Sequence, residues 1–77
     1  MKELIDMIAK QLVDDPSQVS VTEFEEGGRT RIELKVAKED MGRVIGKGGR
    51  IANSMHILLR VAAARDGKRA ILDIVEP

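Results

Sequence analysis

One short glycine-rich segment holds the residues best suited to ligand chemistry in this chain. Residues 46–49 read Gly-Lys-Gly-Gly, a Gly-x-x-Gly pattern. Two glycines without Cβ atoms allow a ligand to approach the backbone closely, and the amide groups that begin the following helix can then face an anion. Arg43, Lys47 and Arg50 add positive charge around the same bend. The pattern predicts a site that holds phosphate groups through main-chain N–H groups and cations.

The charges are distributed unevenly along the chain. Thirteen Lys and Arg balance thirteen Asp and Glu, which taken alone argues against a strongly basic nucleic-acid binder. Residues 1–42 carry a net charge of −4, residues 43–69 a net charge of +6 and residues 70–77 a net charge of −2. Positive charge is therefore concentrated around the glycine bend, where the sequence predicts an anion site.

A helix and a β-hairpin are predicted in the first half of the chain. Apolar residues recur at helical spacing over residues 2–13, which indicates an amphipathic helix. Residues 19–25 and 30–36 are rich in β-branched residues and flank a Glu-Gly-Gly-Arg turn, which predicts two antiparallel strands. The alternation in the second strand places three apolar side chains on its buried face: Ile32, Leu34 and Val36.

Phe24 is the only aromatic residue of the chain. It is out of phase with Val19 and Val21, so we expect a bulge or a strand end near it, and its size predicts a place in the core. A single aromatic residue cannot provide the stacking platform that many single-strand binders present. A nucleotide site in this chain would have to use aliphatic contacts and backbone groups.

Two helices and a third strand are predicted around the glycine bend. Residues 39–45 form a short helix with an acidic first turn, and Gly46 ends it. A longer helix begins at about residue 49 or 50 and lasts to about residue 65, followed by a strand over residues 69–75. The residues expected on the buried face of the longer helix are Ile51, Met55, Leu58, Leu59 and Ala62.

The predicted element order αββααβ defines an α+β domain. We expect one three-stranded mixed sheet in the order 1-2-3, with the second and third strands parallel and joined by a right-handed crossover. Three helices on one face of the sheet would cover its core. The prediction is a single domain over residues 1–77.

Other kinds of site are poorly supported. The chain has no Cys and a single His, His56, so neither a metal site nor another cofactor is predicted. A dinucleotide-binding GxGxxG motif would need glycine in place of Ile51, and a P-loop would need Ser or Thr in place of Gly48 and glycine in place of Met41. A chain this small has little room for a catalytic pocket, so no enzymatic activity is expected.

The sequence gives no indication of membrane association. Its longest uninterrupted apolar stretch is residues 61–64, and the N-terminus opens directly into the amphipathic pattern. We therefore expect a soluble, cytoplasmic protein.

Residues 40–51, which read Asp-Met-Gly-Arg-Val-Ile-Gly-Lys-Gly-Gly-Arg-Ile, resemble the KH domain of type II arrangement in the context of the predicted elements. More narrowly, the whole chain is similar to the bacterial KhpA family. The resemblance implies a clamp for about four nucleotides of single-stranded RNA. It also implies that residues 46–49 contact phosphates and that Val44, Ile45 and Ile51 belong to the apolar floor of the nucleotide groove. The apolar residues of the second strand, Ile32, Leu34 and Val36, would supply or support the strand side of that groove. The predicted RNA-binding residues are Arg43, Val44, Ile45, Gly46, Lys47, Gly48, Gly49, Arg50 and Ile51.

The resemblance further implies an RNA chaperone or post-transcriptional regulator. It implies self-association, and pairing with a larger KhpB-type protein in the control of cell elongation and envelope growth. Two residues depart from the usual pattern. Gly48 makes the loop three-quarters glycine and more mobile, and His56 stands where related sequences often have Arg.

A protein-interaction module on the same scaffold is the alternative hypothesis. It is supported by the zero net charge and by the glycine-rich loop. The apolar residues 61–64 and the apolar last strand could provide a docking surface.

Overall fold

The computed structural model describes residues 1–76. The helices are α1 (Lys2–Leu12), α2 (Met41–Ile45) and α3 (Arg50–Arg65). The strands are β1 (Ser20–Glu26), β2 (Arg29–Lys35) and β3 (Arg69–Val75). Single 3₁₀ turns occupy Pro16–Gln18, Lys38–Asp40 and Lys47–Gly49. The αββααβ order predicted from the sequence is confirmed.

The three strands form one mixed sheet in the order β1-β2-β3. β1 runs antiparallel to β2, with Val21 opposite Leu34. β2 runs parallel to β3, with Ile32 opposite Leu72. The parallel pair is joined through α2 and α3, as expected for strands that no short hairpin can link. Both the predicted strand order and the predicted pairing directions are confirmed.

All three helices pack on the same face of the sheet. The apolar face of β2 forms part of the core cluster, which also includes Ile5 and Ala9 of α1 and Val44 of α2. From α3 the core receives Met55, Leu59 and Ala63. The opposite face of the sheet carries the other half of each strand, including Arg31, Glu33 and Lys35, as the alternation of β2 predicts.

Two predictions about apolar residues are wrong. Phe24 stands in unbroken register opposite Arg31, so there is no bulge, and its side chain lies on the open face of the sheet, 37% exposed. The Arg31 guanidinium lies 4.5 Å from the centre of its ring. Leu58 is 49% exposed, because the side of α3 that faces the core is centred on Met55 and Leu59 instead.

Candidate nucleic-acid interface

The glycine bend between α2 and α3 has a backbone that only glycine adopts readily. Gly46 has φ 76° and ψ 169°, a region of the backbone map that is essentially closed to other residues. Gly48 and Gly49 are both left-handed, with φ 66° and φ 78°. A Cβ on Gly46 would lie 2.7 Å from Cγ1 of Ile51 and 2.9 Å from the Ile51 nitrogen. Gly46 therefore fixes the sharp passage from one helix to the next, as predicted.

Some backbone amides of the bend donate hydrogen bonds within the protein and others do not. The Gly46 N–H donates to the Gly42 carbonyl at 2.9 Å, and the Gly49 N–H donates to the Gly46 carbonyl at 3.1 Å. Within residues 1–76, the N–H groups of Lys47 and Gly48 have no acceptor, and both residues are exposed. Two neighbouring amides at the tip of the bend can therefore bind an external anion.

The three predicted cations are not equivalent. Lys47 and Arg50 are exposed and form no ion pair with any residue that the structure describes. Arg43 instead donates from Nη2 to Oδ2 of Asp14 at 2.7 Å, and its Nε lies 3.5 Å from Oδ1 of Asp40. Its charge is therefore already balanced by two carboxylates. The positive field at the tip comes mainly from Lys47, Arg50 and the amino end of α3.

A buried carboxylate holds α2 in place. Asp40 lies in the 3₁₀ turn before α2, not in the first turn of the helix as predicted, and it is only 2% exposed. Its two oxygens accept the backbone N–H groups of Asp14 and Asp15, each at 3.1 Å. Together with Arg43, these bonds tie the segment after α1 to the start of α2, and so they position the bend that α2 leads into.

Replacing Asp40 with asparagine should therefore destabilise the fold. The amide NH₂ group would face a backbone N–H donor at a site with almost no access to water, so we expect a loss of about 2 kcal/mol in the free energy of unfolding. Urea denaturation followed by circular dichroism measures it. Asp14→Asn is the matched control, because that side chain is 78% exposed and should cost less than about 0.5 kcal/mol. Equal losses in the two variants would contradict this role for Asp40.

The apolar surface beside the bend is smaller than predicted. Val44 is fully buried, so it supports the surface from below and cannot touch a ligand. Ile45 is 37% exposed and Ile51 is half-buried, and these two side chains remain accessible. The residues expected to supply or support the strand side lie in the core at 0–3% exposure, so they can only support it: Ile32 and Leu34 of β2 and Val36, which directly follows it.

The structure adds lining residues that sequence reasoning missed. A shallow groove beside α2 is lined by Lys38, Met41, Ile45 and Glu76. Glu76 directly follows β3, so the strand side of the groove lies at the end of β3, the edge strand against which α3 packs. The sequence signal for this groove is the spacing of Met41 and Ile45, because residues four apart in a helix share one face.

His56 lies outside this groove. It lines a second shallow depression on α3 together with Asn53, Ile57 and Arg60. The helix that carries this depression begins at the bend with Arg50, so polar and basic groups continue along α3 away from the Gly-x-x-Gly segment.

Two helices joined by a Gly-x-x-Gly bend and flanked by parallel strands β2 and β3 define a KH domain. The sequence similarity of this chain to known proteins leads to the same class of domain. The sequence profile of the family described as "KhpA/KhpB, KH domain" matches residues 2–74. The chain belongs to the KhpA family.

Relatives in several bacteria match the chain over nearly its full length. It is 51% identical over 75 residues to the "RNA-binding protein KhpA" of Caldanaerobacter subterraneus subsp. tengcongensis, covering 97% of this chain and 100% of that protein. The protein of the same name from Clostridium acetobutylicum is 47% identical with the same coverage. That from Aquifex aeolicus is 41% identical over 76 residues, covering 99% of this chain and 96% of the relative. These names confirm the prediction of a non-enzymatic protein.

No helix within residues 1–76 combines the length and the apolar composition required to cross a bilayer.

Proposed function

We propose that this protein binds single-stranded RNA by clamping its phosphate backbone at the Gly-x-x-Gly bend. The observation that carries the proposal is that the amides of Lys47 and Gly48, two exposed residues at the tip, have no acceptor within residues 1–76. The side chains of Lys47 and Arg50 beside them form no ion pair with those residues. Amides that need no rearrangement to donate to a phosphate oxygen lower the cost of binding. The relatives named above are called RNA-binding proteins, which supports RNA as the polyanion.

The bases of the clamped nucleotides lie against the groove beside α2. Met41 and Ile45 offer aliphatic surface there, while Lys38 and Glu76 offer polar groups at the rim. Phe24 lies on the opposite face of the sheet under Arg31 and cannot stack on these bases. The imidazole of His56 lines the depression on α3 and not this groove. Binding without aromatic stacking is expected to be weak for each nucleotide.

Weak binding by one clamp favours the association of two. Ile57, Leu58 and Val61 form an exposed apolar ridge on α3, each about half exposed. Residues at this spacing share one side of a helix, so the ridge can pack against the same ridge of a second copy. We include this homodimer in the proposal. Sedimentation velocity tests it, since the wild type should sediment as a dimer and Val61→Glu as a monomer.

The cellular part of the proposal rests on family membership. The protein would act in the cytoplasm as an RNA chaperone or post-transcriptional regulator, together with a KhpB-type partner, in cell elongation and envelope homeostasis. Co-purification of a KhpB-type protein and of cellular RNA from bacteria that express the tagged protein tests this part.

Salt titration separates RNA binding from the alternative function. If the bend contacts phosphates, RNA affinity must fall steeply as salt rises, by roughly 0.7 of a logarithmic unit per logarithmic unit of salt for each phosphate neutralised. The exposed ridge on α3 supports the alternative, a dimerisation module with little RNA affinity. In that case fluorescence anisotropy would show no RNA binding at low salt, while dimerisation persisted at high salt.

A further inference from the structure

Two arginines stand side by side at the end of the sheet farthest along α3 from the bend. Arg29 and Arg69 are the first residues of β2 and β3 and are Cα partners in the parallel register. Both are exposed, and both precede residues buried in the core, so they share the open face of the sheet. Like charges directly opposite each other destabilise a sheet. Folding alone does not explain this pair.

No carboxylate of residues 1–76 neutralises the two arginines. Glu26 is opposite Arg29 across the hairpin, but its Oε1 accepts from Nε of Arg31 at 2.7 Å. Arg31 also bonds to Glu33 at 2.9 Å and lies 3.6 Å from Asp73, and its carboxylate partners raise the pKa of its guanidinium. In the part of the chain that the structure describes, neither Arg29 nor Arg69 forms an ion pair.

The turn from α3 into β3 adds positive charge at the same end of the molecule. Arg65 is the last residue of α3 and Lys68 immediately precedes β3, and both are exposed. The turn is tight, because the Lys68 N–H donates to the Ala63 carbonyl at 2.9 Å. Asp66 is its one acidic residue. We name the four basic residues the distal basic cluster: Arg29, Arg65, Lys68 and Arg69.

The composition of the distal basic cluster fits a polyanion better than a protein surface. Gly27, Gly28 and Gly67 stand beside it in the two turns, and the exposed Val61 lies one helical turn before Arg65. Arg29 follows Gly28 and Arg69 follows Lys68, whereas protein interfaces have an apolar core. The guanidinium fork matches phosphate oxygens in pairs. The position of Arg65 is explained in part by the helix dipole, which favours a cation at the carboxyl end of α3. Arg29 and Arg69 are the first residues of strands, so the helix dipole does not explain their positions.

We infer that the distal basic cluster is a second phosphate-binding surface, which holds the same RNA strand beyond the nucleotides clamped at the bend. The inference rests on the proposed function. The two surfaces lie at opposite ends of α3, a helix of 16 residues and so about 24 Å long. A short RNA fills the bend alone, whereas a long one reaches both surfaces.

The test compares Arg29→Gln/Arg69→Gln with the wild type on two lengths of single-stranded RNA. One RNA has about four nucleotides, the length a KH loop clamps, and the other about sixteen, the upper site size of single-strand-binding OB folds. The double variant should bind the long RNA about tenfold more weakly at low salt, with a salt slope smaller by about 1.4. Its affinity for the short RNA should be unchanged.

Thermal unfolding shows whether the two arginines serve the fold. Removing a like-charged pair should leave the melting temperature unchanged or raise it slightly. Lys2→Gln/Lys10→Gln makes the same change in net charge on α1 and should bind both RNAs as the wild type does. Unchanged binding of the long RNA by the arginine variant overturns the inference, as would happen if the cluster held an acidic protein segment. Failure of the wild type to bind either RNA overturns the proposed function itself.

Discussion

Replacing Gly46 with alanine is expected to destabilise the protein by about 3 kcal/mol and to weaken RNA binding with it. The new Cβ would lie 2.7 Å from Cγ1 of Ile51 and 2.9 Å from the Ile51 nitrogen, and the backbone there cannot move without displacing the start of α3. The φ of 76° with ψ of 169° adds a conformational cost of its own. Urea denaturation followed by circular dichroism measures the loss.

Gly42→Ala is the matched control for this prediction. Gly42 lies inside α2, its φ is not positive, and a Cβ there would meet no atom within 4 Å. Alanine should therefore stabilise the helix by roughly 0.5–1 kcal/mol and leave RNA binding intact. If Gly46→Ala were as stable as Gly42→Ala, the bend would not require the positive φ of Gly46 or its close approach to Ile51.

The double variant Lys47→Asp/Gly48→Asp should lose more than about a hundredfold in RNA affinity. Two carboxylates would repel the phosphate, and losing its bonds to two amides and one ammonium group removes at least about 3 kcal/mol. The fold should survive, because a Cβ on Gly48 has open space around it and aspartate tolerates the left-handed backbone. Fluorescence anisotropy with a short RNA measures the affinity.

The control for this variant carries the same substitutions elsewhere. Lys2→Asp/Gly27→Asp changes the net charge equally and also places aspartate at an open glycine of positive φ, 55° in this case. It lies away from the bend, so a short RNA should bind nearly as tightly as to the wild type. A similar loss in both variants would show that total charge governs affinity, and the bend would have no special part in it.

Much of the fold could be predicted because its patterns are local. The alternation of β2 identifies Ile32 and Leu34 as buried, and the predicted limits of β3 match the observed strand. The face of the sheet that Phe24 occupies was predicted wrongly, because that face depends on the strand register and the turn sets the register. Gly27 and Gly28 alone form the loop and pair Glu26 with Arg29, which places Phe24 on the open face.

The position of the bend was predicted correctly, but the ion pair beside it was not predicted. The Gly-x-x-Gly pattern located the bend, because positive φ at successive positions requires glycine. The ion pair between Arg43 and Asp14 joins residues 29 positions apart, and no local pattern contains it. Leu58 was assigned to the core because periodicity gives the apolar sides of a helix without saying which side the neighbouring elements cover.

An NMR titration of the ¹⁵N-labelled protein with short single-stranded RNA tests the central claim most directly. If the main chain of the bend grips phosphate, the amide protons of Lys47 and Gly48 should move downfield by more than any amide on the open face of the sheet, such as that of Thr22. If the RNA binds while those two resonances stay in place, the main-chain clamp is contradicted.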